Sequence, residues 1–302
     1  MRRVDRAFAT HPAVVLALLL ALPVPAYAQA SGSAPAPLHR TYVEGETLHY
    51  RMTGTNESWR YSVEARSTVK KNGNGAFYED FAWSNMMTGG KPETLSAGMA
   101  GYSQRLSLDP DQFPGAPNLT GVDPKMVGPV TDLMTFYVDY WLAAKFNQLQ
   151  KPGDHFYFVN PSVPSWADGQ RVLVGEDAID FDMTLTSVDR AKGIAELEVR
   201  HVAPAQPKIH LAAPWMQAPQ AGRATNWVEV KRTGEGKYLA AVGQESFDVR
   251  LTISLADGKI LRGDMQNPVD TVERLCADAA LTQCGEATPH HIMRTIQINL
   301  ER

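Results

Sequence analysis

The chain has 302 residues, with 29 lysines and arginines against 33 aspartates and glutamates, a formal charge of −4. That length is enough to bury a full core. The slightly acidic balance argues against nucleic acid or an anionic bilayer surface as the main partner.

Arg2, Arg3 and Arg6 precede an uninterrupted apolar run from Ala13 to Leu22, which Pro23 and Pro25 break ahead of the small-x-small site Ala26-Tyr27-Ala28. Residues 1–28 read as a cleaved secretory signal peptide. Ten helical residues span about 15 Å, half of the roughly 30 Å hydrocarbon core, so no transmembrane anchor is expected in the mature chain. Val4 and Asp5 do not continue a twin-arginine motif, which favours the general secretory route. Cleavage removes three arginines and Asp5, leaving 26 basic against 32 acidic residues and no cysteine at the new terminus to acylate. A periplasmic or secreted location follows. Residues 29–40, with Ser-Gly-Ser-Ala-Pro-Ala-Pro at 31–37, read as a flexible linker, and 41–302 as a single large β domain.

Period-two alternation dominates that domain. Trp59, Tyr61, Val63, Ala65 and Val69 alternate with Arg60, Glu64, Arg66 and Lys70. Asn72-Gly73-Asn74-Gly75 then turns the chain into an aromatic strand around Phe77, Phe81 and Trp83. Ile179, Phe181, Met183 and Leu185 alternate with aspartates and threonine, and Lys192-Gly193 leads into Ala195, Leu197 and Val199. Phe247 to Leu255 alternate again, Asp257-Gly258 turns toward Ile260, and Ile296, Ile298 and Leu300 close the chain. Asn-Gly and Asp-Gly turns of this length join antiparallel neighbours. The fold class is therefore mainly β: an antiparallel meander forming a partly open barrel or sandwich.

One segment departs from this pattern. Apolar residues at 130, 133, 134, 137, 138, 141 and 144 have helical spacing, Pro129 and Asp132 suit an N-terminal turn, and Pro152-Gly153 stops the run. One amphipathic helix is expected near 130–149, apolar on more than one face and packed against the sheet. Proline-rich loops fall at 109–129, 160–165 and 204–219; the last carries Trp215 and Met216.

Cys276 and Cys284 close a loop of nine residues, themselves included. Behind a signal peptide they read as a disulfide, worth about 2.6 kcal/mol in the chain-entropy model. A redox role is disfavoured because the spacing is not Cys-x-x-Cys.

No metal-ligand spacing is found. His290-His291 point to opposite faces of a strand, while His155, His201 and His210 stand apart in sequence. Asp180 and Asp182 share a strand face, but no glycine-spaced calcium loop accompanies them. There is no Gly-x-Ser-x-Gly and no spare cysteine, and Gly234-Glu235-Gly236 joins strands rather than opening a helix. Neither a metal nor any other cofactor is expected. Asn56-Glu57-Ser58 and Asn118-Leu119-Thr120 match the glycosylation pattern by chance.

The aromatic residues are the more informative set. Trp59, Tyr61, Phe77, Phe81, Trp83, Phe136, Tyr137, Tyr140 and Trp141 come from the early strands and the helix. They form either a plain core between sheet and helix or the lining of an apolar cleft in an incompletely closed sheet.

Gly45-Glu46-Thr47-Leu48-His49-Tyr50 and the later Lys151-Pro152-Gly153-Asp154 turn give the chain an order of parts that resembles secreted bacterial β-rich proteins of uncharacterised function. The layout is also loosely similar to the open-barrel lipoprotein carriers of the bacterial envelope. That resemblance carries over no catalytic residue.

Three readings follow. The first is a non-enzymatic exported protein that binds a lipid, another apolar small molecule or an envelope component between sheet and helix. Its expected contacts are Trp83, Phe136, Tyr140, Trp141, Trp215 and Met216. The second is a protein-interaction or scaffold module using an edge strand or the 204–219 loop. The third is an extracytoplasmic hydrolase, which needs His201, His210, Asp180 or Asp182 to converge.

Overall fold

The computed structural model describes residues 36–56, 59–112, 118–161, 163, 165–167, 171–218 and 224–301. The signal peptide read at 1–28 lies outside the described residues, as does the linker up to residue 35. From residue 36 the expected linker lies against the domain: Leu38 is buried and Tyr140 donates its hydroxyl to the His39 carbonyl.

In chain order the elements are β1 (Thr47–Asn56), β2 (Trp59–Lys71), β3 (Phe77–Thr88), β4 (Lys91–Pro92) and β5 (Gln104–Leu106). The helix α1 (Val127–Phe146) follows, and then β6 (His155–Phe158), β7 (Ser165–Trp166), β8 (Val172–Asp177), β9 (Asp180–Asp189) and β10 (Ile194–Val202). The chain finishes with β11 (Trp227–Arg232), β12 (Tyr238–Glu245), β13 (Phe247–Ser254), β14 (Ile260–Cys276) and β15 (Thr288–Glu301). The helix expected near 130–149 runs three residues earlier at each end: Asn147, in the left-handed region with φ 50°, ends it ahead of Pro152.

All the strands among the described residues belong to one antiparallel sheet that does not close. It is simpler than its strand count suggests. β8 and β9 are two halves of one bent run, and so are β12 and β13, which keep one register against β14 across the bend at Ser246 (Glu245 opposite Val269, Asp248 opposite Gln266). β10 and β11 lie end to end between these two runs, β10 pairing with β9 and β13, β11 with β8 and β12. The chain therefore leaves the sheet at the bend after Val202 and returns to it at Trp227, where β11 continues the line of β10. Asn226 marks the return: its carbonyl accepts from Ala178 N–H, and its own N–H donates to the Gly243 carbonyl.

Alternation sends the two halves of the sheet to different cores. Val249, Leu251 and Ile253 of β13 pack with α1, together with Met265, Ile296, Ile298, Met52 and Val63. Ala240 and Val242 of β12 stand at even positions in the same register and so face the other side. There, with Val228, Val230, Cys276 and Leu281, they cover the turn that carries Trp215 and Met216. Cys276 and Cys284 are joined in a disulfide at the edge of this second core. No helix among the described residues is long and apolar enough to cross a membrane.

Candidate functional site

Helix α1 lies in the concave face of the sheet, along a row of residues placed side by side by strand register. The row reads Arg294, Asn267, then Phe247, His201, Phe181 and Phe158 across β15, β14, β13, β10, β9 and β6. A stripe of helix residues seven apart follows it. Asp132 meets Arg294, whose Nη2 donates to both carboxylate oxygens at 2.7 and 2.8 Å. Asp139 meets His201, with Oδ1 2.6 Å from Nε2. Phe146 meets Phe158 with ring centroids 4.9 Å apart. Seven residues complete nearly two helical turns, so the three side chains share one face.

Two glycines let the helix come this close. At Gly263 a Cβ would lie 2.8 Å from the Phe136 ring, so the bare backbone there is the seat of that ring between the two aspartates. At Gly54 the Tyr61 ring lies flat on the neighbouring strand and reaches Asp132, its hydroxyl donating over 3.1 Å.

The row is polar at one end and aromatic at the other. Arg294 Nη1 donates to Asn267 Oδ1, and Asn267 Nδ2 donates in turn to Glu245 Oε1 and the Ser246 carbonyl. Asn267 thus spans the bend where Pro268 offers no N–H. Burial raises the Glu245 carboxyl, against the pull of the Arg294 charge and the Asn267 hydrogen bond. Burial, and then Glu245 itself, push Asp177 well above the usual carboxylate range. Burial also raises Asp139, with His201 opposing. The imidazole sits between Phe181 and Phe247, at 4.8 and 4.9 Å. Its Nδ1 and the second Asp139 oxygen are buried without a hydrogen-bond partner among the described residues.

A second buried group closes the side of the sheet near β3. Glu79 accepts from Arg40 Nε (3.1 Å), Tyr137 hydroxyl (2.6 Å) and, at 3.5 Å, Ser67 hydroxyl. Arg40 also donates to Glu46 and lies 4.4 Å from the Tyr42 ring centroid. Burial nevertheless raises Glu79, with Arg40 and Tyr137 opposing. These contacts tie residues 38–46 across the end of the helix face.

The six residues expected as ligand contacts fall in two places. Phe136 and Tyr140 are fully buried between helix and sheet. Trp83 and Trp141 are half-buried against the same core; Trp141 donates to the Asp109 carbonyl, and Trp83 Nε1 is buried with no acceptor among the described residues. Trp215 and Met216 belong to the second core on the opposite face, where Trp215 donates to the Leu281 carbonyl and Arg274 lies over its ring.

The residues needed for a hydrolase are likewise dispersed. Asp182 pairs with His155 and Arg200 on the outer face, and Asp180 accepts from Tyr157 hydroxyl and Asn160 N–H. His210 donates its backbone N–H to Glu176, and His201 stands on the inner face. No group of three or more metal-ligating side chains is found among the described residues. A depression of about 210 Å³ is lined by His49, Tyr50, Glu64, Ala65, Arg66, Ser84 and Glu301.

Sequence reasoning missed Asp132, Asp139 and Arg294 as a set. The seven-residue spacing of the aspartates within an apolar helix was the available signal, since a buried helix does not carry carboxylates toward its core without partners. The chain matches no protein-family model and no curated protein.

Proposed function

We propose that this chain is an extracytoplasmic, non-enzymatic protein that binds an apolar molecule on the concave face now filled by α1. The observation that carries the reading is an unclosed sheet wrapped around one helix. Within its buried apolar face that helix also carries two carboxylates, Asp132 and Asp139, paired with Arg294 and His201 of the sheet. The face beneath belongs to the larger of the two buried apolar clusters. It is walled by Met183, Leu197, Val249, Met265, Ile298 and Val63, and Phe146, Phe156 and Phe158 stand half-buried at its rim. The Cys276–Cys284 disulfide accords with an oxidising compartment.

The test is native mass spectrometry of the mature protein purified from a bacterial periplasm, followed by organic extraction and by titration with a fluorescent apolar probe. A stoichiometric adduct, or saturable probe uptake that shifts the melting temperature, is the expected result. A clean apo mass together with no saturable uptake overturns the reading.

One observation favours a second reading. β6 ends the sheet, and Tyr157 and Val159 beside it are 45% and 64% exposed. A partner that adds a strand there would use main-chain hydrogen bonds and these two side chains. Loss of a co-purifying protein on Tyr157→Lys would mark that mode.

A further inference from the structure

We infer that the molecule taken up on the concave face is an amphiphile with an anionic headgroup, bound at Arg294 with its apolar tail along the row toward Phe158. This rests on the reading that the face receives a ligand in place of α1.

With α1 set aside, the floor of the face is apolar apart from Glu79 and Ser67 near β3 and from the row itself. There it carries a guanidinium at Arg294, an imidazole at His201, and the Asn267 amide between them. The helix answers the two basic groups with carboxylates and the aromatic end of the row with a phenyl ring: Asp132 on Arg294, Asp139 on His201, Phe146 on Phe158. The helix stripe is itself an anionic head on an apolar body. A ligand with a hydrocarbon tail alone would leave the Arg294 guanidinium facing hydrocarbon without its anion, which is strongly unfavourable. A ligand with a carboxylate or phosphate replaces what the Asp132 side chain provides.

The surroundings of Arg294 fit this role. Its Nη1 is held by Asn267, fixing the plane of the guanidinium, while Nη2 points at the helix. Tyr61 hydroxyl, which donates to the same carboxylate, supplies a further donor to an incoming anion. The nearest competing acid, Glu245, is engaged by Asn267. Farther along, His201 Nδ1 is buried with no hydrogen-bond partner among the described residues, leaving a polar contact for a second head-group atom or an ester oxygen. The other buried acid of the inner face, Glu79, is closed off by Arg40, Tyr137 and Ser67.

The experiment compares dodecanoate, dodecyl phosphate and dodecanol, each below its micellar concentration, binding to the intact mature protein by calorimetry. Both anions are expected to bind at least about tenfold more tightly than the alcohol, the worth of one charge-assisted hydrogen-bond set. The order between the two anions then separates a fatty-acid carboxylate from a lipid phosphate. Arg294→Met is expected to erase the difference between anions and alcohol. Asp132→Asn keeps the side-chain shape and removes the competing charge, so it is expected to tighten the anions severalfold and to leave their advantage intact.

Equal affinity for all three ligands in the unaltered protein overturns the anionic headgroup and leaves the apolar-ligand reading standing. Binding of none of the three overturns both.

Discussion

Asp132 on the helix and Arg294 on the last strand are 162 residues apart in sequence, yet one guanidinium nitrogen reaches both carboxylate oxygens within 2.8 Å. The aspartate is almost fully buried and the arginine about a quarter exposed. Removing either partner leaves a charge in a poorly hydrated place, whereas removing both does not. Asp132→Ala is therefore expected to cost roughly 3 kcal/mol in urea unfolding, and Asp132→Ala with Arg294→Met distinctly less than the two single costs combined. Additive costs would show that the pair is not coupled.

The His201–Asp139 pair supports a similar cycle with a different outcome. It is enclosed by Phe181 and Phe247, with one nitrogen and one oxygen left without a protein partner among the described residues. Asp139→Leu combined with His201→Phe is expected to match or exceed the original stability, because it removes two poorly satisfied polar groups. Either change alone is expected to lower the melting temperature. A double variant less stable than both singles would contradict this account.

Stability should fall from mildly acidic to alkaline pH. Glu79, Asp139, Asp177 and Glu245 all hold protons more tightly in the fold than an ordinary carboxylate does, chiefly because they are buried. A group raised in this way contributes stability that is complete below its unfolded value, near 4, and is lost as pH rises through its folded value. Asp278, Asp189 and Asp154 act in the opposite sense. The Thr282 hydroxyl, the Lys192 backbone N–H and the Gln150 backbone N–H respectively hold them low, so their contribution disappears only in more acidic solution. The melting temperature is expected to be higher at about pH 5 than at about pH 8, with a smaller difference in Asp177→Asn. A melting temperature that rises over this interval would refute the assignment.

Gly263 offers a packing test. A methyl group there meets both the Phe136 ring and Ile298 at 2.8 Å, so Gly263→Ala is expected to cost about 1–3 kcal/mol by overpacking. Gly263→Ala with Phe136→Leu should recover part of that loss in the same urea titration. No recovery would mean that the helix does not bear on this glycine.

The disulfide belongs to the second core. Cys276→Ser with Cys284→Ala is expected to cost about 2–3 kcal/mol from the nine-residue loop. It should also loosen Trp215, whose indole donates to Leu281 inside that loop. Tryptophan emission shifting to the red in the double variant, or on addition of dithiothreitol, is the measurement. An unchanged spectrum would show that the loop does not clamp the 209–217 segment.

The strands were legible because alternation is local. Trp59 to Val69 and Phe247 to Leu255 declare a wet and a dry face without reference to anything distant. The turns at Asn72 to Gly75 and Asp257-Gly258 were legible for the same reason, and both join neighbouring strands as read. That alternation does not reveal which face each half of a run buries. Val242 and Val249 look alike in sequence but pack in different cores, because β12 and β13 keep one register through the bend at Ser246 and an odd separation puts the two on opposite faces. The inner polar row was equally hidden: Arg294, Asn267 and His201 are spread over three strands and come together only through register. The aromatic set was legible as a group, yet Trp215 separates from Phe136 on the same two-core division.

The pairing of β1 with β15 gives the order of synthesis a physical meaning. Arg51 and Glu301, joined by an ion pair, lie 250 residues apart, so the strand that leads the domain is completed only by its final stretch. A growing chain complete only as far as β14 has its first hairpin formed but missing a neighbour, and Asp132 has not yet met Arg294. Closing so long a loop is entropically unfavourable and slow, so the concave face stays unsealed until the whole domain is present.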